Sequence, residues 1–257
     1  VDCDAEAPNT VAFLDAELID KYEVTQQVPV INNKICTFCG KCQEYCHYNA
    51  IFILPSKRII NVFEDLCHGC GACSVACGEG AISEKSSQLG HIAFYSLNDK
   101  PSILEARMKV GVMSPVTVIK AAIKQIDHQS DIAILDAPPG TSCPFIQTVV
   151  AADYTILVTE PTPFGLSDLK QSVETLRILH KPFGVIINRS GSGYKNVNDY
   201  LRNEEIPLLM EIPFKKEIAE LYSMGKIVAE TDQYLAGQLL QITTDIIEHY
   251  GDSSNQR

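Results

Sequence analysis

Several features that would steer this 257-residue chain toward particular functions are missing from it. No stretch approaches the roughly 18 consecutive apolar residues of a spanning helix, so no membrane span is expected. Positive charge is scarce: 21 Lys and Arg stand against 32 Asp and Glu, a formal net charge of −11. That balance argues against nucleic acid or anionic lipid as a partner, because phosphate contacts need clustered cations. A secretory segment is also missing, since Val1-Asp2-Cys3-Asp4 is acidic where a signal peptide is basic and then apolar. A disulfide framework is therefore not expected, and the expected location is the reducing cytoplasm. The six histidines show no metal-ligand spacing and read as surface or hydrogen-bonded residues. Finally, no G-x-x-x-x-G-K-(S/T) occurs: Gly40-Lys41 and Gly225-Lys226 lack both the earlier glycine and the following hydroxyl residue. The phosphate-cradling loop that this motif builds is absent from the 257 residues.

Cysteine is what the chain has in plenty. Eight of its ten cysteines fall in two copies of C-x2-C-x2-C-x3-C, at Cys36, Cys39, Cys42, Cys46 and at Cys67, Cys70, Cys73, Cys77. Each residue of the second copy lies 31 positions after its counterpart, as do Gly71 after Gly40, Ala81 after Ala50 and Ile82 after Ile51. This is an internal duplication. A cubane cluster presents iron corners too close together for extended chain, so three thiolates two residues apart must come from one tight turn, which glycine relaxes. Structural zinc sites instead pair knuckles across longer loops, whereas here four ligands fall within eleven residues, twice. The stretch resembles a bacterial two-cluster ferredoxin, in which the fourth cysteine of each copy ligates the other cluster. The resemblance assigns Cys36, Cys39, Cys42 and Cys77 to one 4Fe–4S cluster and Cys67, Cys70, Cys73 and Cys46 to the other. The fourth cysteine is expected at the start of a short helix, and His47 and Gly78 stand where the ferredoxin pattern has proline.

A chain of this size hides about three-quarters of its unfolded surface, so it can build a core without staples, and two domains are expected. The cysteine domain is placed at residues 30–90, with short β-prone pieces at 51–54 and 59–63. The flanking segments, 1–29 and 91–257, form the second domain. Residues 10–30 read as a connection, and 91–112 as one or two strands. Ser114-Pro115 reads as an N-cap and first helical residue, opening a helix to about Ile126. Apolar runs at 131–136, 154–159, 183–188 and 208–212 then alternate with helical stretches at 144–152, 166–180, 195–204 and 215–224. A last helix over 232–250 carries Leu235, Leu239, Ile242 and Ile246 as an apolar stripe. The pattern predicts an α/β fold, a mostly parallel sheet with helices on both faces. The tail from Gly251 is expected to be disordered.

In such sheets chemistry collects at the carboxyl ends of the strands. Here those ends carry Asp2 and Asp4, Asp136 before Ala137-Pro138-Pro139-Gly140, and Asn188-Arg189. Three motifs, Val-Asp-Cys-Asp-Ala-Glu-Ala-Pro-Asn at 1–9, Asp-Ala-Pro-Pro-Gly-Thr-Ser-Cys-Pro at 136–144 and Thr-Glu-Pro-Thr-Pro-Phe-Gly-Leu at 159–166, resemble those of MinD/ParA-type P-loop ATPases. The whole chain resembles the subfamily of the SIMIBI type with an inserted ferredoxin domain. The resemblance implies that Asp4 orients the attacking water and that Asp136 supports Mg2+ through the switch loop containing Gly140. It further implies that Asp2 belongs to the nucleotide site, that Asn188 contacts adenine and that the turn at Ile212-Pro213 closes over the base. In that family the missing loop precedes the strand whose last residues are Val1–Asp4, so the chain reads as N-terminally incomplete. Losing about three phosphate contacts at about 1.5–3 kcal/mol each removes roughly 5–9 kcal/mol, or three to six decades of affinity. These 257 residues alone are not expected to hold ATP.

Three functions fit these residues. In the first, ATP-dependent switching is coupled to electron transfer through two 4Fe–4S clusters, with a redox partner protein and a homodimer or paralogue heterodimer. In the second, the protein is an ATP-driven carrier or scaffold that delivers iron–sulfur or other metallocofactors to an apo-acceptor. In the third, it is a plain ferredoxin-type electron carrier on a nucleotide-blind scaffold. Cys3 reads as a small core residue and Cys143 as a partly buried thiol under the Pro144 turn. A cysteine at the Cys143 offset helps to hold an intersubunit cluster in nitrogenase-type reductases, but two such cysteines from a homodimer supply only two ligands; the other role open to Cys143 is a redox-sensitive contact at a dimer face.

Overall fold

A computed structural model describes residues 1–97, 100–127, 129–191 and 193–251. Its longest feature is an antiparallel ribbon of β1 (Glu17–Ile31) and β4 (Ile82–Leu97), paired from Glu17 opposite Ser96 to Ile31 opposite Ile82 with register shifts at Leu18/Asp20 and Val24/Thr25. The expected connection over 10–30 is thus corrected, because 17–31 is a strand. β1 is an edge strand exposed along residues 17–21, with Val24, Val28 and Pro29 its buried residues. Burial this sparse leaves no period-two signal to read. The expected domain boundaries at 29/30 and 90/91 both fall inside this uninterrupted ribbon.

At one end the ribbon carries the cysteine segment. The hairpin β2 (Ile51–Leu54) and β3 (Ile59–Val62) and two short helices, α1 (Lys41–Glu44) and α2 (Ala72–Ala76), enclose a small core of Phe38, Cys42, Ile51, Ile53 and Cys73. Toward the other end, β4 pairs with β5 (Lys100–Met108). Asp2 then bridges β5 at Glu105 and the 131–136 segment at Asp136, parallel to both. Helix α3 (Val116–Ile123) covers this sheet, burying Val118, Ile119 and Ala122 against Cys3, Ala5, Val24, Leu89, Ile92 and Ala106. The helix begins one residue later than Ser-Pro suggests, with Pro115 as the N-cap, and ends at Ile123 instead of about Ile126; the Val116 amide donates to Ser114 Oγ (3.4 Å) and the Ile119 amide to the Pro115 carbonyl (2.9 Å).

The remainder alternates helix and strand: α4 (Cys143–Ala151), β6 (Thr155–Thr159), α5 (Pro163–Ile178), β7 (Phe183–Ser190), α6 (Asn196–Asn203), β8 (Leu208–Pro213), α7 (Lys216–Ser223), the unexpected short α8 (Val228–Thr231), and α9 (Gln233–Tyr250). β6, β7 and β8 form a parallel sheet in that order. One face is closed by Phe145 and Val149 of α4, Leu169, Val173 and Leu176 of α5, and Val197 and Leu201 of α6, packed on Leu157, Val185 and Ile187. Each fully buried aliphatic side chain there contributes about 1.5–3 kcal/mol. On the opposite face the covering is uneven. Ile186 is buried, whereas Ile156 and Val158 of the same sheet are exposed and the α9 stripe is only half-buried.

The apolar run at 131–136 is extended but is not a regular strand. It is tied by Asp136, whose amide donates to the Val1 carbonyl and whose carbonyl accepts from the Cys3 amide (both 2.9 Å). Ile132 and Ile134 stay exposed, Ile134 at 74%. Residues 252–257, where a disordered tail was expected, lie outside the described residues, as does His128.

Candidate functional site

The duplication in sequence is also a duplication in backbone. Left-handed φ angles recur 31 residues apart, at Phe38 (56°) and Gly69 (63°), at Gly40 (86°) and Gly71 (73°), and at Asn49 (53°) and Gly80 (60°). Gly40 and Gly71 are the N-caps of α1 and α2. The third cysteine of each copy therefore lies on the helix and is buried, while the fourth follows it, Cys77 being the C-cap of α2. The expectation that the fourth cysteine starts a helix is corrected: the left-handed glycine begins the helix five residues before that cysteine. Proline is not needed after it, because the Asn49 and Gly80 amides donate to the Cys46 and Cys77 carbonyls (both 3.2 Å) and close equivalent turns.

These turns place the sulfurs around two cavities. Cys36, Cys39, Cys42 and Cys77 line one, together with Ile31, Lys41 and Ile82. Cys46, Cys67, Cys70 and Cys73 line the other, together with Gln27, His68 and Glu84. Backbone amides point at sulfur in matching positions: Phe38 to Cys36 (3.4 Å), Gly69 to Cys67 (3.4 Å), Ala50 to Cys46 and Ala81 to Cys77 (both 3.3 Å). Among the described residues no three ligating side chains converge tightly enough for a single ion; the sulfurs stand around a space. Four thiols per cavity, amide donors aimed at them and an apolar lining form a donor set that fits a cubane cluster. The Lys41 amide lowers the Cys39 thiol pKa, whereas burial raises those of Cys42, Cys67 and Cys73. The ribbon fixes the second cavity directly. Gln26 Nε2 donates to the Cys67 carbonyl (2.8 Å), and a Cβ on Gly69 would stand 3.0 Å from the Gln27 carbonyl.

The expected nucleotide residues lie elsewhere, in two groups. Asp2 is buried, and its carboxylate accepts from the amides of Asp4 (3.2 Å), Asn9 and Thr10 (both 2.9 Å). It thereby holds the loop that carries half-buried Asp4. Asp136 stands on the neighbouring segment and accepts from Thr10 Oγ1 (3.3 Å). Although its side chain reaches solvent, its carboxyl pKa is raised by desolvation first and by the Asp2 charge second. Thr10 went unnoticed in sequence because a lone threonine in a loop carries no pattern. Buried Glu105, paired with Arg107 (2.9 Å) beside Asp2, gave no signal either. Gly140, at φ 86°, occupies the turn after the two prolines. Asn188 and Pro213 belong to the other half of the sheet, near the ends of β7 and β8. The Asn188 Oδ1 accepts from the Arg189 amide (2.9 Å), and the Phe214 amide donates to the Ser190 carbonyl (3.0 Å). A cleft of about 610 Å3 opens at these strand ends, lined by Ile187, Ser190, Tyr194 and Lys195 among others, with neither Asn188 nor Pro213 in its wall. Cys143 is exposed at the start of α4, contrary to the expected packing under Pro144.

Comparison with known proteins agrees with this two-part construction. A family model described as a 4Fe-4S dicluster domain matches residues 28–78, and one described as an AAA domain matches residues 81–188. The two matches put an iron–sulfur dicluster domain ahead of a match to a nucleotide-binding model, which is of the ParA/MinD-like P-loop NTPase kind. It is similar to two uncharacterized proteins of Methanocaldococcus jannaschii, MJ0579 (29% identity, 88% of this chain and 78% of the relative) and MJ0578 (25% identity, 94% and 83%). Among the described residues no helix is long and apolar enough to cross a membrane.

Proposed function

We propose that the protein couples a nucleotide switch to electron transfer through two 4Fe–4S clusters, held by Cys36, Cys39, Cys42 and Cys77 and by Cys46, Cys67, Cys70 and Cys73. In this reading residues 30–90 are an insertion in the nucleotide domain. The observation that carries the proposal is the uninterrupted β1–β4 ribbon. Gln27, Ile31, Ile82 and Glu84 of the ribbon wall the two cavities, while Val24, Leu89 and Ile92 of the same strands sit in the core with Cys3, next to Asp2. Two hydrogen-bonded strands join the two regions, so displacement of the Asp2–Asp136 pair would reach the cysteine cages along the ribbon, through its bulge at Val24 and Thr25.

Bound in these cages, the clusters supply one-electron redox chemistry at low potential. At the other end, Asp136 and the Asp4 loop offer the carboxylates that Mg2+ uses beside nucleotide phosphates, with Asp4 placed to orient water and Asp136 to hold the ion. No G-x-x-x-x-G-K-(S/T) loop occurs in these 257 residues. Ile132, Ile134, Ile156 and Val158 are exposed, although an apolar β segment is normally covered on both faces of such a sheet.

The test uses protein expressed from its complete gene, reconstituted anaerobically and titrated potentiometrically by EPR with Mg-ADP, Mg-ATP or neither. Nucleotide is expected to shift a midpoint potential, and Asp136→Ala to abolish the shift. Identical potentials under all three conditions, with hydrolysis intact, overturn the coupling. The 257-residue chain itself is expected to show no saturable ATP binding. A second reading, a carrier that delivers clusters to an apo-acceptor, is supported by the exposure of Cys39 and Cys70, one thiol in each cage. Cluster transfer accelerated by ATP distinguishes it.

A further inference from the structure

The two cages are copies in backbone but not in charge. At paired positions Lys41 of the first copy faces Ala72 of the second, and Ile53 faces Glu84. All four line cavities: Lys41 and Ile53 that of Cys36, Cys39, Cys42 and Cys77, and Ala72 and Glu84 that of Cys46, Cys67, Cys70 and Cys73. The first wall carries both Lys41 and Glu79. In the second, Glu84 has no Lys or Arg beside it in the wall; it is exposed and accepts from Ser74 Oγ (2.9 Å). The nearby Glu64 is already neutralised by Lys85 (2.6 Å). Solvation differs in the same sense. The first cavity has a volume of about 110 Å3 and the second about 20 Å3, and Tyr48 stacks on His68 (3.8 Å between centroids) in the wall of the second. Reduction adds a negative charge, which a nearby anion and poor solvation both oppose.

We propose that Lys41 and Glu84 make the two cluster sites unequal, so that an electron shared between them rests in the cage of Cys36, Cys39, Cys42 and Cys77. This rests on the two-cluster reading above. The transfer is a single electron, one cluster oxidised as the other is reduced, with no bond or proton moved. Its direction is meaningful because the first cage sits at the ribbon tip, at Ile31 and Ile82. The second sits nearer the nucleotide half, at Gln27 and Glu84. Electrons therefore run downhill away from the switch and toward the end of the molecule.

The test is a dithionite titration of the reconstituted protein at pH 8, above the ordinary imidazole range, followed by EPR. Iron and sulfide are assayed first; content well below two clusters per chain defeats the two-cluster reading and not this one. With full content, two waves are expected, separated by at least the 59 mV that marks a tenfold preference for a one-electron couple. Lys41→Gln should lower only the upper wave, and Glu84→Gln should raise only the lower, so that each variant narrows the gap. The double variant Lys41→Ala with Ala72→Lys should close or invert it. A single unresolved wave in the parent, or a Lys41→Gln shift confined to the lower wave, overturns the proposal.

Discussion

Asp2 and Asp136 are parallel neighbours, bridged through the Val1 carbonyl and the Cys3 amide, with one carboxylate buried and the other reaching solvent. The buried one is satisfied by three backbone amides and the other leans on Thr10. Their charges repel, and this helps to raise the Asp136 pKa, with desolvation as the larger cause. A raised carboxyl pKa means that the folded state disfavours the ionised form. The resulting penalty is present above the folded value and fades as pH falls through it toward the ordinary carboxylate range. Asp136→Asn is therefore expected to stabilise the fold at pH 7.5, with the gain shrinking as pH approaches 4. Urea denaturation at both pH values checks this, and a gain that grows on acidification contradicts it.

Asp2→Ala is expected to have the opposite effect. It leaves the amides of Asp4, Asn9 and Thr10 without their acceptor, at a cost of about 1–3 kcal/mol for a buried unsatisfied group. The loss should appear as a lower urea midpoint with an unchanged slope.

Two glycines separate crowding from conformational freedom. A Cβ on Gly90 of β4 would stand 2.3 Å from the Arg107 carbonyl and 2.9 Å from Met108 Cα, so the β4–β5 pairing must give way. Gly90→Ala should cost about 1–3 kcal/mol, as overpacking does. Gly237 in α9 has open space around it, and Gly237→Ala should add about 0.5–1 kcal/mol. Thermal unfolding of the two variants is expected to move in opposite directions.

Cross-ligation is tested by removing thiols in sequence. In a Cys39→Ser background, a second change at Cys77 should leave the remaining iron untouched, while one at Cys46 should release it, because Cys46 shares a cavity with Cys67, Cys70 and Cys73. If Cys77 proves to be the sensitive one, each copy of the motif fills its own cage.

The two cysteines outside the cages should differ sharply in reactivity. Cys3 is fully buried, and desolvation pushes its thiol up to about 11, whereas Cys143 is exposed. In holoprotein at pH 7.5 a maleimide should modify one thiol quickly, and Cys143→Ser should abolish that reaction. Labelling of Cys3 should require unfolding.

The cysteine cages were legible in the sequence because ligand spacing is local: two residues between thiols and a glycine after the second dictate the turn wherever it is placed. The alternation of apolar strands and amphipathic helices from Tyr154 onward was legible for the same reason, since each element there declares its own period. The β1–β4 ribbon was not. Its strands are separated by 50 residues and pair through backbone groups, which carry no sequence identity, and most side chains of β1 face water. Nor could the sequence show that Asp2 would be spent on three loop amides, that Thr10 would reach Asp136, or that Lys41 and Glu84 would line different cavities. The residue types were set by the chain. Their neighbours, and with them desolvation and charge balance, exist only once distant segments are brought within a few ångströms of each other.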